Sequence, residues 1–405
     1  MVHIPVQTQW MKNFKMAASK RPPIILQILP GLQTGGVEKT TLDIGHALVA
    51  KGWVSLVTSA GGRMLEELLA GGSQHFELPL DSKNPLTIWR NAARLVKLIK
   101  SENVDLIHAR SRGPAWSALL AAKRTGIPFV TTYHGAYSQN NVIKARYNSV
   151  MARSNVVIAN SQWTANLIAT RNPWAKHRIT TIHRGTDFDA FNRAAISKNR
   201  VEKLQTNWGI KPEHFTVVQL ARVTGWKGQN VVIDTAARLA KEYPNLRFVL
   251  AGDAQGRSEF LARLNSQIAN HDLQNQVILP GHCTDPAAAM AVADAVIVAS
   301  TDAEAFGRAA VEASALEKPL IVTRIGAVGE TVLATPEVTA EERTGWKVAP
   351  ADAEEMAQAL RQVLQLTDKQ RKAVGARART HCKANFSLSQ MCDKTIAVYE
   401  SQLPK

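Results

Sequence analysis

Apolar and polar positions follow two recurring patterns along this chain. Short runs rich in Val, Ile and Leu are separated by longer segments, such as "QNVVIDTAARLAKEYP", in which apolar residues recur every three or four positions. The runs are typical of buried strands and the longer segments of amphipathic helices. Because the two alternate, we predict an α/β fold of doubly wound parallel sheets with helices on both faces. Eleven runs predict strands, at residues 24–31, 54–60, 104–111, 128–135, 156–161, 179–185, 215–222, 247–252, 276–281, 295–300 and 319–326.

The same pattern divides the chain, whose 405 residues exceed the usual size of a single core. One polar segment without a strand, residues 186–214, interrupts the series. We therefore predict two Rossmann-like domains that face each other across a cleft. The expected divisions are a disordered basic tail (1–21), an N-terminal acceptor-side domain (22–185), a hinge (186–214), a C-terminal donor-nucleotide domain (215–380) and a C-terminal helix that packs back across the hinge (381–405).

Composition narrows the class of protein. Hydrophobic residues make up 45% and charged residues 20% of the chain, as in soluble globular proteins, and no apolar run is long enough for a membrane span. The net charge of +16 predicts an anionic partner. Nucleic acid is the weakest candidate, because no nucleic-acid-binding motif accompanies the charge. An anionic lipid surface or a phosphate-rich acceptor remains.

Cysteine usage indicates the compartment. The three cysteines, Cys283, Cys382 and Cys392, are widely separated and show no metal-binding spacing. We expect reduced thiols in a cytoplasmic protein, because disulfides are rare there.

A glycine-rich turn follows the first predicted strand, in "LPGLQTGGVEKTTLDIG" (29–45). Gly35 and Gly36 precede a predicted helix, where backbone N–H groups can meet a phosphate. The turn is close to a nucleotide-triphosphate loop, but Glu38 stands where that loop needs glycine, and two residues separate Gly36 from Lys39. A turn that lines a sugar-nucleotide cleft is the favoured reading; a plain tight turn and a deviant ATPase are the alternatives.

Histidines and arginines end two strands of the first half. Ligands of such sheets bind beyond the carboxyl ends of the strands. His108, Arg110 and Arg112 in "HARSRG" and His134 in "TTYHG" are therefore candidate substrate residues. A neutral imidazole can orient a sugar hydroxyl, and arginine can meet an anionic group.

Two acids follow the last strand of the first half, in "HRGTDFDAF". Asp187 and Asp189 form a DxD pattern that can hold a metal ion. Their position after Gly185 favours a turn and helix cap instead, and we expect no metal.

The second half carries a basic pair after its first strand. Arg222 and Lys227 in "ARVTGWKGQ" suit a diphosphate, which arginine can bind with two parallel hydrogen bonds. Gly252, after the next strand in "LAGDAQG", leaves room for a close ligand. No GxGxxG motif follows any strand, so a nicotinamide or flavin cofactor is not expected.

The segment "STDAEAFGRAAVEASA" (300–315) places two acids around a predicted helix start. Gly307 and Arg308 lie at that start, where free N–H groups can take phosphate or hydroxyl oxygens. Glu304 lies in the loop, and Glu312 lies inside the helix, where its carboxylate can accept two ribose hydroxyls.

At this point the chain resembles the retaining glycosyltransferases of family 4, which have the GT-B fold. "EAFGRAAVE" matches their E-x7-E motif, and the resemblance extends over about residues 24 to 400. It includes, in family order, "TGGVEKTTLDIG", "HARSRGPAWSA", "TTYHG", "VVIANSQWTA", "HRGTDFDAF", "ARVTGWKGQ", "LAGD" and "GAVGETV". The ordered set is specific although each motif is weak alone.

The resemblance implies a role for each motif. Arg222 and Lys227 would hold the donor diphosphate, and Glu312 would bind the ribose. Glu304, with the backbone of Phe306 and Gly307, would meet the donor sugar.

His134 would lie beside the sugar and the acceptor hydroxyl, and Gly35 and Gly36 would complete the phosphate cradle. The leaving phosphate would take the acceptor proton in a front-face attack, without a metal. Ala303 departs from the proline that many members carry there.

Two segments, "HARSRGPAWSA" and "SKNPLTIWRNA", are most similar to a bacterial subgroup that assembles lipopolysaccharide core or other envelope polysaccharides. This resemblance implies a GDP-mannose or UDP-sugar donor and an anionic glycolipid or glycan acceptor. It also implies a location at the inner face of the cytoplasmic membrane. A non-catalytic sugar-nucleotide binding protein on the same fold is a further alternative.

Overall fold

The protein is described by a computed structural model. It describes residues 21–33 and 35–404, so nearly all of the expected N-terminal tail lies outside the described residues. Two separate parallel sheets form the framework, with strand orders β3-β2-β1-β4-β5-β6-β7 and β10-β9-β8-β11-β12-β13. The predicted fold of two doubly wound parallel-sheet domains is therefore confirmed.

The strands are short and their central members are buried. Those of the first sheet are β1 (Ile24–Ile28), β2 (Val54–Ser59), β3 (Gln74–Glu77), β4 (Leu106–Ala109), β5 (Phe129–Tyr133), β6 (Val156–Ala159) and β7 (Ile179–Thr181). Those of the second are β8 (Phe215–Leu220), β9 (Leu246–Ala251), β10 (Val277–Ile278), β11 (Ala295–Val298), β12 (Leu320–Thr323) and β13 (Trp346–Val348). All eleven predicted strands are present.

Two strands escaped the sequence pattern, and both lie at an edge of a sheet. β3 has exposed residues at both ends and two half-buried residues between them, and β13 has only three residues. An edge strand is covered on fewer sides than a central one, so it needs no continuous apolar run.

Helices cover both faces of the sheets. In the first half they are α1 (Gly36–Ala50), α2 (Leu65–Ala70), α3 (Pro85–Ser101), α4 (Arg112–Thr125), α5 (Val142–Asn148) and α6 (Gln162–Arg171). The remainder are α7 (Lys198–Asn207), α8 (Gln229–Leu239), α9 (Ser258–Asn270), α10 (Pro286–Val292), α11 (Arg308–Ala315), α12 (Ala353–Gln365), α13 (Asp368–Phe386) and α14 (Leu388–Gln402). No helix among the described residues has both the length and the apolar character needed to cross a membrane.

The chain passes twice between the domains, and the two crossings lie side by side. The N–H of Thr186 donates to the carbonyl of Phe386 at 2.9 Å, and the N–H of Leu388 donates to the carbonyl of Thr186 at 3.0 Å. Gly185 permits this approach, because a Cβ there would lie 2.5 Å from the Cα of Leu388. The crossing is thus two short paired segments rather than one.

Most of the segment that was expected to form the hinge is packed into the second domain. Ile196, Val201, Trp208 and Ile210 are buried in the core of the second domain. Most of the polar segment 186–214 therefore belongs to that domain, because these four apolar residues anchor it.

The helix α14 packs on the first domain. Its residues Met391, Ile396 and Tyr399 lie in one core cluster with Ile25 and Ile44. The end of the chain therefore returns to the N-terminal domain after the second crossing.

Candidate active site

A cavity of about 720 Å³ lies between the carboxyl ends of the two sheets. In each sheet the chain reverses its winding direction beside the first strand, between β1 and β4 and between β8 and β11. Loops diverge at such a point and leave room for a ligand. Nine predicted site residues line the cavity: Gly36, His134, Arg222, Lys227, Glu304, Phe306, Gly307, Arg308 and Glu312.

The basic loop after β8 is held against the end of β11. Lys227 ends a 3-10 turn and is followed by Gly228, whose φ of 71° is left-handed. A Cβ at Gly228 would collide with the carbonyl of Ala299, so glycine is required for this contact. The Nζ of Lys227 then lies 2.6 Å from Oε1 of Glu304 and 4.3 Å from the centre of the Trp226 ring.

The loop that carries Glu304 is fixed by a neighbouring segment. The carbonyl of Glu304 accepts the N–H of Ala327 at 2.8 Å, and its side chain accepts a hydrogen bond from the Ser300 hydroxyl. A Cβ at Gly326 would lie 2.5 Å from the carbonyl oxygen of Glu304. These contacts hold the loop without the proline that Ala303 replaces.

The start of α11 completes this side of the cleft. Gly307, with φ 86°, turns the chain into the helix. One turn later Glu312 is 9% exposed, and its carboxylate accepts a hydrogen bond from Arg308 at 3.0 Å. Both acids of the E-x7-E motif therefore line one cavity, each paired with a cation.

The opposite side of the cleft contains an arginine that sequence reasoning missed. Arg184 follows β7 and lines the cavity beside His134. Its Nη2 donates to Nδ1 of His134 at 2.8 Å, which makes Nδ1 an acceptor. Burial and the nearby Arg184 charge lower the pKa of His134 well below its usual value, so the imidazole is neutral at physiological pH. The sequence signal for Arg184 was its position after a strand, in the motif "HRGTDFDAF", in which only Asp187 and Asp189 were considered as site residues.

Three predicted acceptor residues do not line the cleft. His108 is fully buried, and its ring nitrogens are 2.6 Å from the Tyr399 hydroxyl and 2.7 Å from the Thr132 hydroxyl. Both ring nitrogens of His108 are therefore occupied inside the first domain. The prediction that His108 contacts the acceptor directly is corrected by this geometry.

The two arginines that follow are held by the protein in the same way. Arg110, 2% exposed, donates twice to Oε1 of Gln27, at 2.6 and 3.1 Å. Arg112 donates to Asn148 at 2.8 Å and lies over the Tyr137 ring.

Two predicted glycines also lie outside the cavity lining. A Cβ at Gly252 would collide with the carbonyl of Ala221, so its glycine is explained by the close approach of two strand ends. Gly252 lines a separate cavity of about 250 Å³ with Asp253 and His282. Gly35 is the residue before α1, at φ 144°, and only Gly36 of this pair reaches the cleft.

The two motifs that suggested other chemistry have structural explanations. Lys39 lies 3.1 Å from Glu67 and 3.4 Å from Asp43, in ion pairs away from the cleft. Asp187 accepts the backbone N–H groups of Asp189 and Ala190 at 2.9 and 3.0 Å, which is a turn cap. Within the described ranges, no group of three or more acidic, histidine or cysteine side chains is arranged for a metal ion.

A carboxylate also joins the two domains. Glu330, in the 3-10 helix Ala327–Thr331, accepts the N–H groups of Gln162 and Trp163 at 2.9 and 2.5 Å. It therefore caps α6 from the other domain, and it lies 3.1 Å from Nε2 of His183. Burial alone would raise the pKa of Glu330, but the hydrogen bonds from His183 and the two N–H groups outweigh it and lower the pKa.

Comparisons with known proteins identify the family of this chain. Residues 34–190 match the family described as Glycosyltransferase Family 4, and residues 201–381 match Glycosyl transferases group 1. A crystal structure of a glycosyltransferase from Rickettsia africae ESF-5 is 32% identical, with a TM-score of 0.85, over 94% of this chain and 99% of that one.

Two other proteins are also similar to this chain. The Anabaena protein Alr3699/HepE, in complex with UDP, is 24% identical with a TM-score of 0.78, over 93% of this chain and 100% of that one. The D-inositol 3-phosphate glycosyltransferase of Jonesia denitrificans is 25% identical over 73% of this chain and 71% of its own length.

Proposed function

This chain belongs to the glycosyltransferases of family 4, and we propose that it is a retaining enzyme that moves a sugar from a UDP-sugar to an anionic acceptor at a membrane surface. The observation that carries the proposal is the cation–carboxylate pair of Lys227 and Glu304 beside Arg222 and the start of α11. Negative charge develops on the diphosphate as its bond to the sugar breaks. Fixed cations and the N–H groups at a helix start stabilise that charge.

The cleft residues divide the donor between them. Arg222 and Lys227 would hold the diphosphate, and Glu312 would accept the ribose hydroxyls. Glu304, with the N–H groups of Phe306 and Gly307, would orient the sugar. UDP as the nucleotide is supported by the likeness to the UDP-bound Anabaena protein, and GDP-mannose remains the alternative donor.

The charges in the cleft favour the leaving phosphate as the proton acceptor. Oε1 of Glu304 accepts from both Lys227 and Ser300, and the neutral ring of His134 already accepts from Arg184 at Nδ1. These bonds make both groups poorer candidates than the leaving phosphate for removing the acceptor proton. In the proposed step the acceptor oxygen bonds to the anomeric carbon, the bond from that carbon to the diphosphate breaks, and the acceptor proton passes to the departing phosphate oxygen. Since the acceptor oxygen attacks and the diphosphate leaves on the same face of the sugar, the configuration of the anomeric carbon is retained.

An exposed surface on the first domain supports a membrane location. Residues 106–186 contain eleven Lys or Arg and no Asp or Glu; of these, Arg110 is buried and Arg184 lines the cleft, and the other nine are at least partly exposed. Four large apolar side chains of this region and of α3 beside it are more than half exposed: Leu86 (53%), Trp89 (55%), Val142 (84%) and Ile143 (81%). We call these four residues the docking face.

Both parts of the docking face belong to segments that approach the start of α4. A Cβ on Gly113 would lie 3.6 Å from the Tyr147 hydroxyl of α5 and 4.0 Å from the carbonyl of Ser82, which precedes α3. Apolar side chains among basic residues suit the interface of an anionic bilayer. The acceptor would then be a phosphate-bearing lipid or an envelope glycan, the lipopolysaccharide core included.

Vesicle binding tests the docking face. The protein should sediment with vesicles of phosphatidylcholine that contain phosphatidylglycerol, less so in high salt, and Val142→Asp/Ile143→Asp should reduce the bound fraction severalfold. Leu69→Asp, an exposed apolar residue on α2, is the matched control. Equal binding by both variants would argue against this surface.

The donor is tested by thermal stabilisation with UDP, GDP and ADP, because the nucleotide that binds raises the melting temperature. The largest rise is expected with UDP. A larger rise with GDP would replace the proposed donor, and no rise with any of the three would contradict a sugar-nucleotide site. Acceptors would then be screened by UDP release from UDP-glucose with inositol 3-phosphate, diacylglycerol vesicles and lipopolysaccharide core.

A further inference from the structure

The cations of the cleft are not all paired. Lys227 lies against Glu304, and Arg308 donates to Glu312. Arg184 and Arg222 also line the cavity, but within the described part of the chain neither has a carboxylate at ion-pair distance. Arg184 is half-buried, whereas Arg222 is exposed. A partly desolvated guanidinium without a counter-ion is costly, so Arg184 favours an anionic ligand, and Arg222 can bind a second one from its exposed position.

Arg184 is held so that much of its hydrogen-bonding capacity stays free. One Nη2–H donates to the neutral ring of His134 at 2.8 Å, and the buried Nε–H has no acceptor among the residues that the structure describes. The Nη1 atom fills the space beside Gly36, where any Cβ would collide with it. A guanidinium has five N–H donors in a rigid fork, which matches a phosphate or carboxylate.

The other domain brings a second cation toward the same place. Burial first, and then the charge of Arg308, lower the pKa of Arg184 to about 10, although Tyr137 and Glu38 act in the opposite direction, so the Arg184 guanidinium remains charged at neutral pH. Arg184 lies on the side of the first domain and Arg308 at the start of α11. Like charges brought together from two domains repel, and an anion between them would turn that repulsion into attraction.

We propose that Arg184 anchors a second anionic group in the cleft, a phosphate or carboxylate carried by the acceptor, while Arg222 and Lys227 hold the donor diphosphate. The assignment to the acceptor rests on the proposed function. It also rests on position, because Arg184 and its neighbours His134 and Gly36 belong to the first domain, whereas Arg222 and Lys227 belong to the second. An uncharged acceptor would leave Arg184 with the neutral His134 ring but no anionic partner among the described residues.

Phosphate binding to the UDP-saturated protein tests this assignment. Inorganic phosphate is titrated against wild type, Arg184→Gln, Arg184→Lys and the surface control Arg90→Gln, with the melting temperature and calorimetry as readouts. Glutamine retains a donor for His134 but no charge, and lysine retains the charge. We expect phosphate to stabilise the wild type beyond UDP alone and to bind Arg184→Gln about tenfold more weakly or worse. Arg184→Lys should keep part of this affinity, and UDP affinity should be unchanged in Arg184→Gln.

Two results would overturn the proposal. Phosphate that adds nothing to the UDP-bound wild type means that there is no second site. A parallel loss of UDP affinity in Arg184→Gln, with UMP affinity unchanged, means that Arg184 serves the distal phosphate of the donor.

The outcome is separable from that of the donor assignment. Should UDP fail to bind, the same comparison is made with phosphate alone on an Arg222→Gln background. Loss of phosphate binding on adding Arg184→Gln would then support the anion site, and no loss would overturn it.

Discussion

The Nζ atom of Lys227 lies 2.6 Å from Oε1 of Glu304, although 77 positions separate the two residues in the chain. They meet because β8 and β11 are neighbours in the second sheet and each residue lies in the loop after its strand. Both side chains are largely buried, at 15% and 12% exposure. A salt bridge in the cleft fixes the position of the ammonium group relative to the loop that carries Glu304.

Replacing Lys227 tests the electrostatic contribution of this pair. Lys227→Gln keeps a hydrogen-bond donor for Glu304 but removes the charge, so turnover should fall about 10²–10³-fold while the fold persists. Initial rates of UDP release and the melting temperature are the measurements. Lys241→Gln, an exposed lysine of the same domain, should behave as wild type. Near-normal turnover in Lys227→Gln would remove Lys227 from the diphosphate site.

Glu330 makes a testable connection between the domains. Glu330→Gln can accept from α6 with only one uncharged oxygen, so it should weaken this contact by about 1–2 kcal/mol. Faster amide exchange at Trp163 is the direct readout, with Glu341→Gln as an exposed control.

The effect of Glu330→Gln should depend on pH. The pKa of Glu330 is lowered from 4.5, so its contribution is present above about pH 4.5 and is lost as the pH falls through the lowered value. Wild type and Glu330→Gln should therefore converge in acid. A difference that grows below pH 4 would contradict the assignment of the contact to the carboxylate.

Tyr399→Phe tests the structural role assigned to His108. The change removes the hydroxyl that lies 2.6 Å from Nδ1 of His108 in a fully buried site. We expect a loss of about 1–2 kcal/mol in the free energy of unfolding, measured by denaturant titration, with donor and acceptor KM unchanged within about twofold. Tyr243→Phe, near the surface, is the comparison. A large rise in acceptor KM without loss of stability would return His108 to the acceptor site.

Chelation tests the expectation that no metal is required. Asp187 is committed to the backbone of Asp189 and Ala190, and Lys227 and Arg222 provide fixed positive charge in the cleft. Activity should therefore persist in excess EDTA, as followed by UDP release. Complete loss that Mg²⁺ or Mn²⁺ restores would show that a cation takes part.

The parts of the site that the sequence predicts are those built from local segments. Lys227 and Glu304 lie in loops that follow apolar strands, and Glu312 lies in the helix after the second of these loops. Their approach to the cleft therefore follows from the topology of a parallel sheet. The same rule misplaced His108 and Arg110, because a residue at a strand end faces either the cleft or the helix layer. That choice depends on Tyr399, 291 positions away, and on Gln27.

The residues that sequence reasoning missed depend on distant partners as well. Arg184 is positioned by a hydrogen bond to His134, 50 positions earlier, and Glu330 is positioned by hydrogen bonds from the start of α6 in the other domain. Neither residue type nor spacing carries that information. The edge strands β3 and β13 were missed for a different reason, since their pattern lacks a continuous apolar run.

The proposed retaining transfer is tested most directly by the configuration of the donor's anomeric carbon in the first product. Wild type and Lys227→Gln are incubated with UDP-glucose, with water as the acceptor or with an acceptor from the screen, and the first product is observed by proton NMR. The account predicts UDP together with a product in the α configuration of the donor, formed by wild type and nearly lost in Lys227→Gln. A first product in the β configuration, or equal turnover by the two proteins, would contradict it.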